Sequence, residues 1–468
     1  MRARREHPAA IPGHIPYYYL LLLLPLLRGA RYFHLPNGFP RWLRGAWFDG
    51  AVVAALLLLS AVAWGQRTYD MTPHRLRLCR GLMWRRTTRI PLRWVSTLTV
   101  ERPLWLRWLG AARVSADTDA GNHRLADVRL TVWRRQATLF IPDSESGAYL
   151  SAKARRIWLL CLLTSDSTGG VLLLAAALRQ SSVLLGESIR HQVVDNLEAA
   201  ADALALIPRT AALLILIVAL GWGVSTVRHL LRHLPFALCR REDTLTVYMG
   251  MLTRRIHCCA MGAINYVDIR QTLAAHLLKV YTVYINCTGY GKDKNTLSVV
   301  IPPCRRRRMA QEWEILFPHL RPCRLTLHPA KGALLRYLRL PLLLLLLLPL
   351  GGQMAGRLFP PWRELAIYLS LLALLPCLWL GAVQIAARRK AGIGYDGGQV
   401  WLCYAGRLSI HRVTIPREKV AAVHLRQSLW QRRRGVCDLR IYSHHEFRRP
   451  HRVRHLNYND VKELLKEV

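Results

Sequence analysis

The chain has 468 residues, 52% of them hydrophobic, and a formal net charge of +39. That length points to several domains, and that apolar content excludes a disordered or low-complexity chain. Of the 67 basic residues 58 are Arg, an excess that points to an anionic partner, either membrane phosphates or nucleic acid.

The apolar residues are bunched into candidate membrane segments. Residues 15–27 (IPYYYLLLLLPLL) form a short one, about 20 Å as helix. Arg2, Arg4 and Arg5 precede it, but no small-x-small cleavage site follows, which argues against a signal peptide. Residues 46–65 follow, with Asp49 near the edge. Residues 157–178 are apolar except for Thr164 to Gly170, a Ser/Thr/Asp/Gly cluster with Asp166 at its centre, and the segment they open runs to about 186. Such a cluster is cap and turn chemistry, so a helix is expected to close before it and a span to begin after it. Residues 210–227 and 365–387 are uncharged and long enough to cross a hydrocarbon core of about 30 Å. Residues 340–355 are nearly as long and extremely apolar.

The segments pair as hairpins, 15–27 with 46–65, 157–186 with 210–227, and 340–355 with 365–387. Basic stretches lie between the pairs. Residues 66–156, 228–339 and 388–468 carry net charges of +11, +13 and +11. Basic residues at span ends mark the cytoplasmic side, so all three stretches are expected there. Arg28, Arg31, Arg41 and Arg44, inside the first hairpin's loop, run against this pattern.

The three basic stretches repeat one another. Moving the first by 325 positions sets Gly81 on Gly406, Ile90-Pro91 on Ile415-Pro416, Leu104-Trp105 on Leu429-Trp430 and Gly110 on Gly435. Moving it by 169 sets Gly81 on Gly250, Arg85-Arg86 on Arg254-Arg255 and Val95 on Ile264, while Gly110 meets Lys279. Each copy alternates in strand fashion at residues 75–79, 244–248 and 399–403, and a Gly turn follows. Further strands are expected at 113–116, 281–285, 407–413 and 439–442, and a helix at 459–467.

In this order of elements the chain resembles the membrane-flanked bacterial pleckstrin-homology-like domain family. The residues that carry the likeness are the turn glycines, the Ile-Pro corners, Leu109-Gly110 and the paired spans. Three units in one chain is similar to its YdbT-type members. The resemblance implies membrane α-helical hairpins plus three α+β domains, each a seven-stranded antiparallel β-barrel capped by a C-terminal helix. It implies a bacterial plasma membrane with the domains in the cytoplasm, and no catalytic residue. The expected domains are 1–65 (first hairpin), 66–156, 157–227 (second hairpin), 228–330, 340–387 (third hairpin) and 391–468.

Motifs for chemistry are sparse. The chain has no GxxxxGK[ST], GxGxxG, HExxH or GxSxG. Its 11 Cys lack a CxxC pair, which argues against a disulfide framework or structural zinc. His444-His445-Glu446 with His451 and His455 is surrounded by Arg, and positive charge opposes a cation. Adjacent Cys258 and Cys259 on a strand point to opposite faces, so core packing is expected rather than redox work. No cofactor and no metal is expected. The candidate lipid-phosphate residues are Arg85, Arg86, Arg254, Arg255, Arg305, Arg306, Arg307, Arg308, Arg432, Arg433 and Arg434. Arg suits phosphate through its planar fork of donors. Nucleic acid is disfavoured, because Trp beside a membrane belongs to the interfacial belt.

The expected role is a non-enzymatic scaffold at the inner leaflet that contacts anionic lipid and a protein partner or another copy. A transporter or channel component, with Asp166, Arg179 or Arg209 facing a polar path, is one alternative, and a membrane-bound enzyme is another.

Overall fold

The computed structural model describes residues 4–14, 38–72, 75–81, 84–118, 128–141, 148–165, 171–172, 187–202, 209–290, 298–320, 324–406, 409–444 and 450–467. The expected span at 15–27, the charges Asp166 and Arg179, and most of 165–186 lie outside them.

The first unit runs β1 (Arg4–Arg5), α1 (Gly38–Gly65), β2 (Thr68–Thr72), β3 (Arg75–Arg80), β4 (Arg86–Pro91), β5 (Val95–Arg102), α2 (Leu104–Trp108), β6 (Ala111–Thr118), β7 (Val128–Trp133) and α3 (Arg134–Ala137). The second runs β8 (Ala148–Ser151), α4 (Ala154–Thr164), α5 (Glu187–Asp202), α6 (Arg209–His233), β9 (Phe236–Arg241), β10 (Thr244–Met249), β11 (Arg254–Ala260), β12 (Ile264–Thr272), α7 (Leu273–Leu277), β13 (Val280–Cys287), β14 (Val299–Arg305) and α8 (Arg306–Leu316). The third runs α9 (Leu334–Leu358), α10 (Arg363–Leu372), α11 (Leu374–Lys390), β15 (Gly392–Tyr395), β16 (Gln399–Ala405), β17 (Ser409–Pro416), β18 (Val420–Arg426), α12 (Leu429–Arg433), β19 (Val436–Ser443), β20 (His451–Asn457) and α13 (Tyr458–Glu467).

Alternation explains the strands. In β3, Leu76 and Leu78 are buried; in β10, Leu245 and Val247; in β16, Val400 and Leu402. In the first unit they meet Val100, Val114, Leu130 and Val132 from the second three strands, and together these form the core. Each such side chain taken from water contributes about 1.5–3 kcal/mol. A short 3₁₀ turn joins the two halves of every unit, at Leu92–Trp94, Met261–Ala263 and Arg417–Lys419. The second unit makes this corner without an Ile-Pro. It also makes the turn before β13 without a glycine: Lys279 takes φ +52°, where Gly110 and Gly435 take +67° and +64°.

The barrels do not close. The first two units have the expected seven strands and the third has six, β15–β20; in each they fall into two half-sheets, and the half-sheets of neighbouring units merge edge to edge. The sheets read β1-β2-β3-β4, β7-β6-β5-β11-β10-β9-β8, β14-β13-β12-β17-β16-β15, and β18-β19-β20. The seams are β5 with β11 and β12 with β17, both antiparallel. Their edges therefore satisfy their backbone groups in the adjoining unit, which a single closed barrel would have done internally.

Among the described residues three helical stretches are long and apolar enough to cross a membrane: Ala211–His233, Leu334–Leu358 and Pro360–Lys390. Gly50–Gly65 is a shorter apolar helix. In the third hairpin α9 packs on both α10 and α11. Gly352 makes this possible, since a Cβ there would run into the Ser370 side chain. The helix expected to close before the Ser/Asp/Gly cluster ends at Thr164, where Ser165 donates its N–H to the Cys161 carbonyl at 2.8 Å. It buries Ile157 and Cys161 in the second unit's core.

Candidate membrane-surface site

Helices α4 and α9 lead toward the second and third hairpins. Each carries an Arg as its third residue, and each Arg is clamped to a buried acid of its own unit. Arg156 donates to both Glu312 carboxylate oxygens, at 2.8 and 2.9 Å, and to the carbonyls of Pro302 and Pro303. Arg308 adds a third bond to Glu312 at 2.9 Å. Burial alone would raise the Glu312 carboxyl; the hydrogen bonds and charge of Arg156 and Arg308 hold it below the ordinary range. In the third unit Arg336 donates to Asp438 at 3.2 Å, and Arg452 to the same oxygen at 2.6 Å. Gln431 and the His455 backbone N–H bind the other oxygen, at 2.9 and 3.1 Å. Burial here too is overcome, by Arg452 and Arg336, and Asp438 stays below the usual carboxylate range.

Asp438 thereby fixes α12 against the first turns of α9. Ser428 and Gln431 close a capping box at the start of α12. Leu429 and Trp430 then stand out, 81% and 75% exposed. Between α12 and α9 lies a groove of about 870 Å³, lined by Arg336, Arg339 and Arg434 at one end and by Leu342, Leu343 and Leu346 with Trp430 along its length. A cationic rim running into an exposed apolar helix face has the two-part chemistry of a phospholipid: a phosphate and an acyl chain.

The other units repeat the apolar tip between their fifth and sixth strands. Trp105 and Trp108 lie on α2, and Leu277 and Leu278 close α7, all exposed. Beside α7 a second groove, of about 1610 Å³, is lined by Arg155, Lys279 and Arg305 to Arg308 together with Trp158. A further exposed aromatic, Trp84, adjoins Arg85 and Arg86 on the β3–β4 turn. The corresponding turn of the second unit carries Met251-Leu252 and is tied to the end of α6 by the Met251 N–H on the Leu231 carbonyl.

The eleven Arg named from the sequence therefore separate into four settings, the first being Arg85 and Arg86, exposed on the β3–β4 turn. Arg305, Arg306, Arg307 and Arg308 come together in the second unit's groove, with Arg308 half committed to Glu312. Arg434 enters the third unit's groove; Arg432 and Arg433 are exposed on α12 next to it, and Arg433 stands over the Trp430 ring. Arg255 is spent at the first seam, on Glu101 at 3.1 Å, and Arg254 lies opposite Arg102. The Arg at helix starts and the exposed Trp430 escaped the reading by clusters. A signal was present, since Arg156 and Arg336 each precede an apolar run.

The other singled-out residues serve packing. Cys258 and Cys259 are both buried; Cys259 sits in the core against Thr97, with Cys287 beside it. His451 bonds the Tyr404 hydroxyl at 2.9 Å. His445 and Glu446 lie outside the described residues, as do Asp166 and Arg179; Arg209 begins α6. Among the described residues no group of three His, Cys, Asp or Glu could hold a metal ion. A buried polar cluster crosses the second seam, where Asp268 accepts from His411 at 2.8 Å and from Arg270 at 3.1 Å. Burial raises the Asp268 carboxyl, but these partners pull it down to about 2.

Sequence comparison agrees with the repeat. The profile of the bacterial PH domain matches residues 20–137, 193–314 and 342–468. The chain belongs to that family. No curated protein and no solved structure matches it.

Proposed function

We propose that this member of the bacterial PH domain family is a non-enzymatic scaffold of the bacterial plasma membrane. Its hairpins anchor three cytoplasmic units, and each unit rests an apolar tip and an Arg rim on anionic head groups. The observation that carries the reading is the groove between α9 and α12. There Arg339 and Arg434 adjoin Trp430 and the exposed leucines of a helix long enough to span. The Arg flanking the third hairpin support the cytoplasmic orientation.

The test is lipid retention by the full chain in nanodiscs of mixed anionic and zwitterionic lipid, read by native mass spectrometry. Two juxtamembrane Arg contribute about 2 kcal/mol, so Arg339→Ala/Arg434→Ala should weaken anionic-lipid retention about thirtyfold. Equal retention of zwitterionic lipid by the wild type, or no change in the variant, would sink the reading.

A further inference from the structure

The two seams are the same seam. The second unit follows the first by 169 positions, and the third follows the second by 156. At the first seam Ile256 of β11 faces Val100 of β5. Moving each residue one unit onward gives Arg412 facing Ile269, which is the pairing observed at the second seam. The match holds along both strands. The chain thus applies one rule twice: the edge strand that follows the 3₁₀ corner of one unit takes the edge strand that precedes that corner in the next, in one register.

That rule leaves one edge of each kind unused. β4 ends the first sheet, and β18 ends the last; among the described residues neither has a partner on its outer side. Their burial agrees. Every residue of β18 is at least partly exposed, whereas four of the eight residues of β5 and six of the nine of β12 are buried. An apolar groove of about 980 Å³ runs beside β18, lined by Val420, Ala422, Val423, Phe317 and Leu320. At the other end of the molecule Trp94, 62% exposed, stands on the turn that follows β4.

We infer that β18 of one chain pairs with β4 of a second copy of the same chain, head to tail, in the register of the two internal seams. That register sets Ile90 against Ala422, Thr88 against His424, Thr87 against Leu425 and Arg86 against Arg426. The turn Leu92–Trp94 then takes the place that Met261–Ala263 holds at the first seam and carries Trp94 to the rim of the apolar groove. Thr88 with His424 repeats, with sides exchanged, the Thr99–His257 pair, whose Oγ1 and Nδ1 are 2.9 Å apart. One position differs in sign. Arg86 with Arg426 stands where the first seam has the Arg255–Glu101 ion pair. Like charges face to face weaken the contact, so salt should promote assembly. The contact is heterologous, and its repetition makes a ring or an open row, which is what a membrane scaffold requires.

The inference deepens the scaffold reading by naming its partner and rests on that reading alone; lipid retention is measured separately and responds to salt in the opposite direction. The test uses two full-length chains in vesicles, both Cys323→Ser, the other ten cysteines being buried. One carries Thr88→Cys and the other His424→Cys; a second set carries Thr87→Cys and Leu425→Cys. One of two adjacent antiparallel pairs is the narrow one that a disulfide can bridge. Mixed chains should cross-link to a dimer in one of these sets, and Thr88→Cys with Leu425→Cys, on opposite faces, should not. Arg426→Glu should lower the protein density for half-maximal cross-linking about fivefold and remove the salt promotion. No cross-link in either set, equal cross-linking of the mismatched pair, cross-linking of Thr88→Cys chains alone, or an unchanged midpoint for Arg426→Glu would each overturn the inference.

Discussion

Replacing Arg156 by Met tests how the second hairpin is fastened to its unit. The guanidinium makes two bonds to Glu312 and two to backbone carbonyls, and both charged side chains are 10% exposed or less. Removing one member of a buried pair costs about 3–5 kcal/mol, because the other charge stays behind. Arg308, with a side chain 44% exposed, remains on Glu312 and recovers a small part. The net loss is about 3 kcal/mol, or about 150-fold in the opening equilibrium. Hydrogen exchange of the full chain in detergent reads this locally, as faster exchange of the amides in β14 and α8. Arg156→Met/Glu312→Leu removes both charges and should bring exchange back to within about tenfold of wild type, since an apolar replacement of a buried pair is near neutral. Exchange within threefold of wild type in Arg156→Met, or a double variant worse than the single, would refute the reasoning.

Two further outcomes are expected. Lys279→Gly should stabilise the second unit by about 1 kcal/mol, because a residue with a Cβ is strained at its φ of +52°; exchange at β13 checks this, and destabilisation would contradict it. His257 is fully buried, and desolvation pushes its imidazole from 6.5 down to about 3. The unfolded chain takes up a proton below about pH 6.5 and the folded chain does not until about pH 3, so this stability is complete above 6.5 and is lost as pH falls. Between pH 7 and 5 the loss is about 2 kcal/mol; His257→Gln should flatten that slope by about one proton, and an unchanged slope would count against it.

Much of the fold was legible because strands and spans write themselves in periodicity. Leu76 and Leu78, Leu245 and Val247, Val400 and Leu402 alternate with polar neighbours, and the structure buries each of them. The offsets of 169 and 325 placed the corners and turns of all three units. The partner of an edge strand was not legible. β5 and β11 lie far apart in the chain, and nothing in either pattern says whether a strand closes on its own unit or reaches the next. Glu101 and Arg255 carry the answer only once they are seen opposite each other. The site was half legible for a similar reason. Runs such as Arg305 to Arg308 announce themselves, while Arg336 joins Arg434 in one groove only through Asp438.

The shared sheets also set a schedule for synthesis. β5 is finished at Arg102, but its partner β11 begins at Arg254, about 150 residues later and beyond the candidate span Ala211–His233. At roughly 5–20 residues per second, the β5 edge waits on the order of ten to thirty seconds for its neighbour. During that interval the first unit is a half-built sheet with an open side. A pause anywhere in that stretch would strand the first unit's edge and invite mispairing with another copy, so the chain between Arg102 and Arg254 sets the timing of the seam.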